Sequence, residues 1–224
     1  MTTSAGRPRL STRKRPGATA RDEILDAAAE LFTTRGFTAT STRTVADAVG
    51  IRQASMYHHF ATKDDILDAV ANEIVASVDT TMFGTLDWAD ALRAWAYSYR
   101  AALAAHPNIV PYLARGPGRR PASLAIADAV YGALVKAGWP PARATHVGAL
   151  MRYFVAGSAL GSFARGYVED PELYAAHYPH LSQAHRLAGH QRSVDDGAFE
   201  LGLDALLLGL ARVYEELGTE ASTR

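Results

Sequence analysis

The chain has 224 residues, 48% of them hydrophobic and 21% charged, and no cysteine. That is length enough for one or two domains with a well-buried core, and the lack of cysteine excludes disulfides, thiolate metal sites and a cysteine nucleophile. The formal net charge is zero, but residues 1–63 hold ten Lys and Arg against five Asp and Glu, leaving 13 against 18 for residues 64–224. A basic first third on an acidic remainder points that third toward a polyanion.

The basic N-terminus is not followed by the apolar stretch of a secretory leader. The longest uncharged apolar run, 153–164, has twelve residues. A spanning helix needs about 20, so a soluble, cytoplasmic protein without a membrane partner is expected.

Residues 1–18 are rich in Thr, Ser, Gly, Pro and Arg without apolar periodicity, the composition of a disordered segment. Arg7, Arg9, Arg13, Lys14, Arg15 and Arg21 all precede the first acid, Asp22. This basic arm is either a solvated tail or a flexible strand along a phosphate backbone or in a minor groove.

A first helix is expected over 20–35. Thr19 can cap it, Asp22 and Glu23 occupy its first turn, and Ile24, Leu25, Ala28, Leu31 and Phe32 share one face. Gly36 is expected to end it in a left-handed conformation. Ser41 or Thr42 caps a second helix whose inner face is Val45, Ala46 and Val49, and Gly50 breaks the chain. A third helix is expected from Arg52 to about His59, with Met56 and Phe60 turned inward. Helix, glycine turn and short helix make a helix-turn-helix pattern. Thr62 caps a fourth helix, with Asp65 placed for a capping box and Ile66, Leu67, Val70, Ile74, Val75 and Val78 as its apolar stripe.

Beyond Gly84 the pattern is again helical, with candidate helices at 87–105, 108–115, 121–137, 141–166 and 196–217 and an irregular stretch at 168–195. The fold expected is therefore all-α. An N-terminal three-helix helix-turn-helix domain (19–65, after the 1–18 arm) is joined to a C-terminal helical ligand-binding and dimerisation domain (66–224).

Residues 20–67 resemble the DNA-binding domain of the TetR family of bacterial regulators. The matching pieces stand in order: Ile24-Leu25-Asp26-Ala27-Ala28, Leu31-Phe32, Arg35-Gly36-Phe37, Thr42-Arg43-Thr44-Val45-Ala46, Val49-Gly50-Ile51, Ser55-Met56-Tyr57-His58-His59-Phe60 and Lys63-Asp64. A helix in the major groove must present polar and basic side chains outward, as Arg52, Gln53, Ser55, Tyr57, His58 and His59 would. Gln suits an adenine edge and Arg a guanine edge. The resemblance implies base reading by Arg43, Gln53 and Ser55, and phosphate positioning by Thr42, Tyr57, His58 and Lys63.

The stretch 97–166 resembles more distantly the core of the tetracycline repressor, through Tyr99-Arg100-Ala101-Ala102-Leu103, Leu113, Pro117, Gly138 and the run 150–160. Tyr112 stands where that repressor has a metal-binding histidine, which argues against a magnesium–tetracycline ligand. Trp95, Tyr99, Tyr112, Met151 and Phe154 are candidates to line a pocket for a small-molecule effector, though aromatic residues at helical spacing are as readily plain core.

The last helix carries Phe199, Leu203, Leu206, Leu210, Val213 and Leu217 on one face, with Leu201 and Leu208 on another, so it needs two partners. Gly157, Ser158, Gly161 and Ser162 form a small-residue seam in helix 141–166. The resemblance implies a homodimer through these two helices of each subunit, whose recognition helices would match a palindromic operator.

Two other readings compete. His177, His180, His185 and His190 form a dense histidine segment, but without the helical i, i+4 pair of a metal motif. No metal site and no cofactor is assigned. No nucleophile–base arrangement appears, so no catalytic residue is assigned either. An architectural DNA binder lacking an effector would rely on the basic arm for non-specific grip.

Overall fold

Thr19 and Thr62 open two of the helices in the same way. In the computed structural model of the protein, which describes residues 17–113 and 119–222, each threonine hydroxyl accepts from the backbone N–H three residues on, while Asp22 or Asp65 accepts from the threonine's own N–H. Both capping boxes are complete, so the first donors of each helix are satisfied locally. The helices are α1 (Ala20–Arg35), α2 (Thr42–Val49), α3 (Gln53–Met56), α4 (Lys63–Ala76), α5 (Trp88–Ala104), α6 (Val110–Leu113), α7 (Pro121–Lys136), α8 (Pro141–Ser158), α9 (Pro171–His177) and α10 (Gln191–Ser222), with short 3-10 turns between some of them. The fold is all-α, with no strand among the described residues. Most of the basic arm, residues 1–16, lies outside them.

The chain forms two compact units, one of residues up to Ser77 together with Asn108–Ser123, the other of Val78–Pro107 with the residues from Leu124 on. The first unit is built on α1, which packs on both α2 and α4. Ile24, Leu25, Leu31, Phe32, Val45, Met56, Ile66 and Val70 are all buried there, and each large side chain so removed from water contributes about 1.5–3 kcal/mol. Thr40 is also fully buried; its hydroxyl donates to the Gly36 carbonyl at 2.8 Å, a use that apolar periodicity does not reveal.

In the second unit α5 packs on α8 and α10. Phe154 of α8 stacks on Phe199 of α10 at 5.4 Å, and Arg100 of α5 pairs with Asp196 at 2.9 Å while lying over the Phe199 ring. Asp87 caps α5, and the backbone N–H of Asp90 above all, then that of Ala89, holds its carboxyl below the usual range. Trp88, Trp139 and Tyr214 pack ring on ring, and the Tyr214 hydroxyl donates to the Ala137 carbonyl.

Several sequence expectations are corrected. Gly36 has φ 81° but ψ 161°, so it ends α1 in a positive-φ conformation open essentially to glycine and not as a left-handed helical residue. Gly50, with φ 81° and ψ 26°, does adopt the left-handed form. The helix expected over 141–166 stops at Ser158, and Gly161 and Ser162 lie in the irregular link beyond it, since Gly and Ser are weaker helix formers than Ala or Leu. The stretch 168–195 is not wholly irregular: Asp170 caps α9 and Pro171 occupies its first position, where a missing N–H costs nothing. The last helix is longer than 196–217. The boundary expected at 65/66 falls inside α4, whose apolar stripe packs on α1, so α4 belongs with the head, as does the segment 108–123.

Candidate nucleic-acid interface

The site begins with a cap. Ser41 accepts from the N–H of Thr44 and starts α2; Gly50 then turns the chain, and its N–H closes on the Ala46 carbonyl. Arg52 precedes α3 in extended conformation with no side-chain cap bond. Expected to reach His59, α3 is helical only over Gln53–Met56, and residues 57–59 continue as turns, with the N–H of His59 and of Phe60 both donating to the Met56 carbonyl. Met56 and Phe60 are buried and fix the back of this element. Arg43, Arg52, Gln53, Ser55, Tyr57, His58 and His59 are exposed, and Thr42 is half-buried.

The outward residues are organised. Gln53 Nε2 donates to Thr42 Oγ1 at 3.1 Å, joining α3 to the first turn of α2, and lies 3.5 Å from the Tyr57 hydroxyl. Tyr57, 52% exposed, does not cover the core edge. The structure thus brings Thr42, Gln53 and Tyr57 together on one accessible face, with Arg43, Arg52, Ser55 and His58 exposed on the same two helices and the turn that follows them.

Lys63 is also bound within the protein. Its ammonium donates to the carbonyls of Phe37 and Thr40, both at 2.7 Å, and sits 3.9 Å from the centroid of the Phe37 ring. Two of its three donors are spent within the protein, so Lys63 clamps the corner between α1 and α2 and keeps one donor.

The proposed effector-lining residues divide. Trp95, Tyr99 and Met151 are buried in the second unit, and Phe154 is half-buried against Phe199. Trp95 packs near Tyr99 and Phe83 at 5.4 and 6.4 Å, and its indole N–H finds no acceptor among the described residues. Tyr112 belongs to the first unit, where its hydroxyl donates to Asp68 at 2.7 Å. Burial, and then the Asp68 carboxylate, raise its pKa above the ordinary tyrosine value. Of the histidine segment, His190 Nδ1 lies 2.9 Å from the Arg186 carbonyl, and among the described residues no group of three His, Asp or Glu gathers as for a metal.

A capped helix, a left-handed glycine, and a short helix with a buried apolar back and a polar front define a helix-turn-helix DNA-binding protein. Residues 24–70 match the description "Bacterial regulatory proteins, tetR family" and residues 83–214 match "Tetracyclin repressor-like, C-terminal domain". An HTH-type transcriptional regulator of Saccharopolyspora erythraea is 32% identical over 175 residues, 78% of this chain and 74% of that protein. The tetracycline repressor protein class C of Escherichia coli is 29% identical over 204 residues, 86% and 91% of the two chains. The structure of a possible TetR family regulator from Streptomyces coelicolor superposes with a TM-score of 0.70 at 27% identity, covering 86% of this chain and 99% of that one. The chain belongs to the TetR family. It is a DNA-binding transcriptional regulator, and no helix among its described residues is long and apolar enough to cross a membrane.

Proposed function

We propose that this protein is a homodimeric repressor, working in the cytoplasm, that reads a palindromic operator and releases it when a small molecule enters its second unit. The observation that carries the reading is the Gln53 amide held between Thr42 and Tyr57 on an exposed helix-turn-helix face. A side chain so fixed loses little further freedom on meeting a base edge. Arg43, Gln53 and Ser55 are assigned to base edges, with Arg52 beside them, and Thr42, Tyr57 and His58 to phosphates. Lys63 acts through the α1–α2 corner.

The dimer reading rests on exposed apolar side chains at the two helices named from sequence. Leu201 and Leu208 of α10 are 74% and 76% exposed, and Leu150 and Tyr153 of α8 are exposed as well. Large apolar groups left in water on two helices invite a second copy. Two-fold symmetry would set the recognition helices about 34 Å apart, one turn of duplex.

The relative named a tetracycline repressor, and the buried Trp95, Tyr99 and Met151 with the half-buried Phe154, support an effector site in the second unit. No charged residue is buried there among the described residues, so an uncharged effector fits better than one bringing an unpaired charge. An acceptor on it would satisfy the Trp95 N–H.

Enrichment of duplexes from a random library by the purified protein tests the reading. Recovery of an inverted repeat is expected; uniform, salt-sensitive binding to every duplex would overturn sequence-specific regulation and leave the architectural reading.

A further inference from the structure

Arg120 is the one charged residue buried among the described residues, at 8% exposure. Its guanidinium donates to Asp68 Oδ1 at 3.2 Å and lies 5.2 Å from the centroid of the Tyr112 ring. The same carboxylate oxygen accepts from the Tyr112 hydroxyl at 2.7 Å. One turn along α4, Asn72 accepts from the backbone N–H of Ala122 at 3.0 Å, in the first turn of α7. Asp68 and Asn72, four apart, share one face of the helix. Asn108 donates to the Thr33 carbonyl near the end of α1. Asn108 is thus tied to α1, and Tyr112, Arg120 and Ala122 to two positions of α4, and none of these residues lies on the face assigned to DNA.

We infer that Asp68, Tyr112 and Arg120 form a clasp that holds α4, and with it the helix-turn-helix, in the arrangement that fits an operator; these are positioning residues, and the inference rests on the DNA-reading assignment above. The Arg120 side chain is 9% exposed and that of Asp68 58%, so water screens the pair and it adds little to stability; its use is to select one arrangement among neighbours. Here one oxygen serves two donors, so a small slide or rotation of α4 loses both bonds together. The N-terminal end of the same helix is fixed by Lys63 to the corner from which α2 departs. Asp68 lies five residues further on, about 7.5 Å along the axis at ~1.5 Å per residue, so one rigid helix joins clasp and corner. From its anchored first turn α7 runs on to Lys136, and its residues from Leu124 belong to the second unit. A displacement of α7 would therefore reach Asp68 through the covalent chain.

The test uses the full-length protein and the duplex that it enriches from a random library. Arg120→Met, Asp68→Asn and the gentler Tyr112→Phe, which keeps the ring against Arg120, are each compared with wild type by fluorescence anisotropy on that duplex and on a scrambled one, alongside thermal unfolding. Each change is expected to weaken binding to the selected duplex roughly tenfold and to leave the scrambled duplex bound as before, because no basic residue of the DNA face is touched. The Arg120→Met/Asp68→Asn pair should lose no more than the worse single change, and Arg120→Lys should restore part of the loss. Wild-type affinity in the variants would overturn the clasp, as would equal losses on both duplexes in step with lost stability. If wild type enriches no sequence, the DNA-reading assignment itself fails, and the clasp with it.

Discussion

Lys63 holds Phe37 twice: its ammonium donates to the Phe37 carbonyl at 2.7 Å and rests 3.9 Å from the centroid of the same residue's ring. With the second bond to the Thr40 carbonyl, one side chain fixes the corner from which α2 departs. Lys63→Met keeps the stem but leaves both carbonyls without this donor, and hydrogen bonds to a charged group are worth about 1.5–3 kcal/mol. A loss of about 2 kcal/mol in urea unfolding is expected, together with weaker operator binding. Unchanged stability with weaker binding would instead restore Lys63 to the phosphate contacts.

Gln53 and His58 are expected to separate specificity from grip. Gln53→Ala should cost about 1–3 kcal/mol on the preferred duplex and relax the base preference at one position in each half-site. Since Gln53 is exposed, the melting temperature should hardly move. Loss of a phosphate contact at His58 should weaken all sequences alike and reduce the salt dependence by about one unit of slope. Binding isotherms at several salt concentrations distinguish the two; a uniform loss for Gln53→Ala would remove it from base readout.

These residues also show what the sequence could disclose. The caps at Thr19 and Thr62 were legible, and that of α2 to within Ser41 or Thr42, because each acts on a neighbour three residues away. The polar front and apolar back of α3 were legible from residue type alone. The targets of Lys63 lie 23 and 26 residues back, and Asp68 and Arg120 are 52 apart, so no local pattern announces either contact. The bond from Tyr112 to Asp68, 44 residues back, is hidden for the same reason, since helical spacing assigns a side chain to a face but not to a unit. The end of α8 at Ser158 was missed because a long apolar pattern outweighed Gly157, Ser158, Gly161 and Ser162, whose weak helix preference the chain follows.

Leu201 and Leu208 are seven apart on α10 and are among the most exposed apolar residues described. Leu201→Glu with Leu208→Glu places two charges on that stripe without opening the core of either unit. Sedimentation should shift from dimer to monomer, and operator affinity should fall steeply because a single head contacts only one half-site. A variant that remains dimeric would move the interface off this face of α10.

Gly202 sets how closely α8 approaches α10. A Cβ added there would lie 2.7 and 2.8 Å from Cε2 and Cζ of Phe154, inside any ordinary contact. The ring is stacked on Phe199 at an interplanar angle of 17°, so it cannot tilt away without giving up that contact. Gly202→Ala is therefore expected to destabilise the protein by about 1–3 kcal/mol, the usual range for overpacking, and Phe154→Leu on the same background should recover part of it. The outcome also decides how Phe154 is used. If its ring borders open effector space, it can swing aside, Gly202→Ala costs almost nothing, and the substitution changes effector response instead. If Phe154 serves packing, unfolding shifts and the response does not. Thermal unfolding of Gly202→Ala, Phe154→Leu and their combination measures the coupling between the two positions directly.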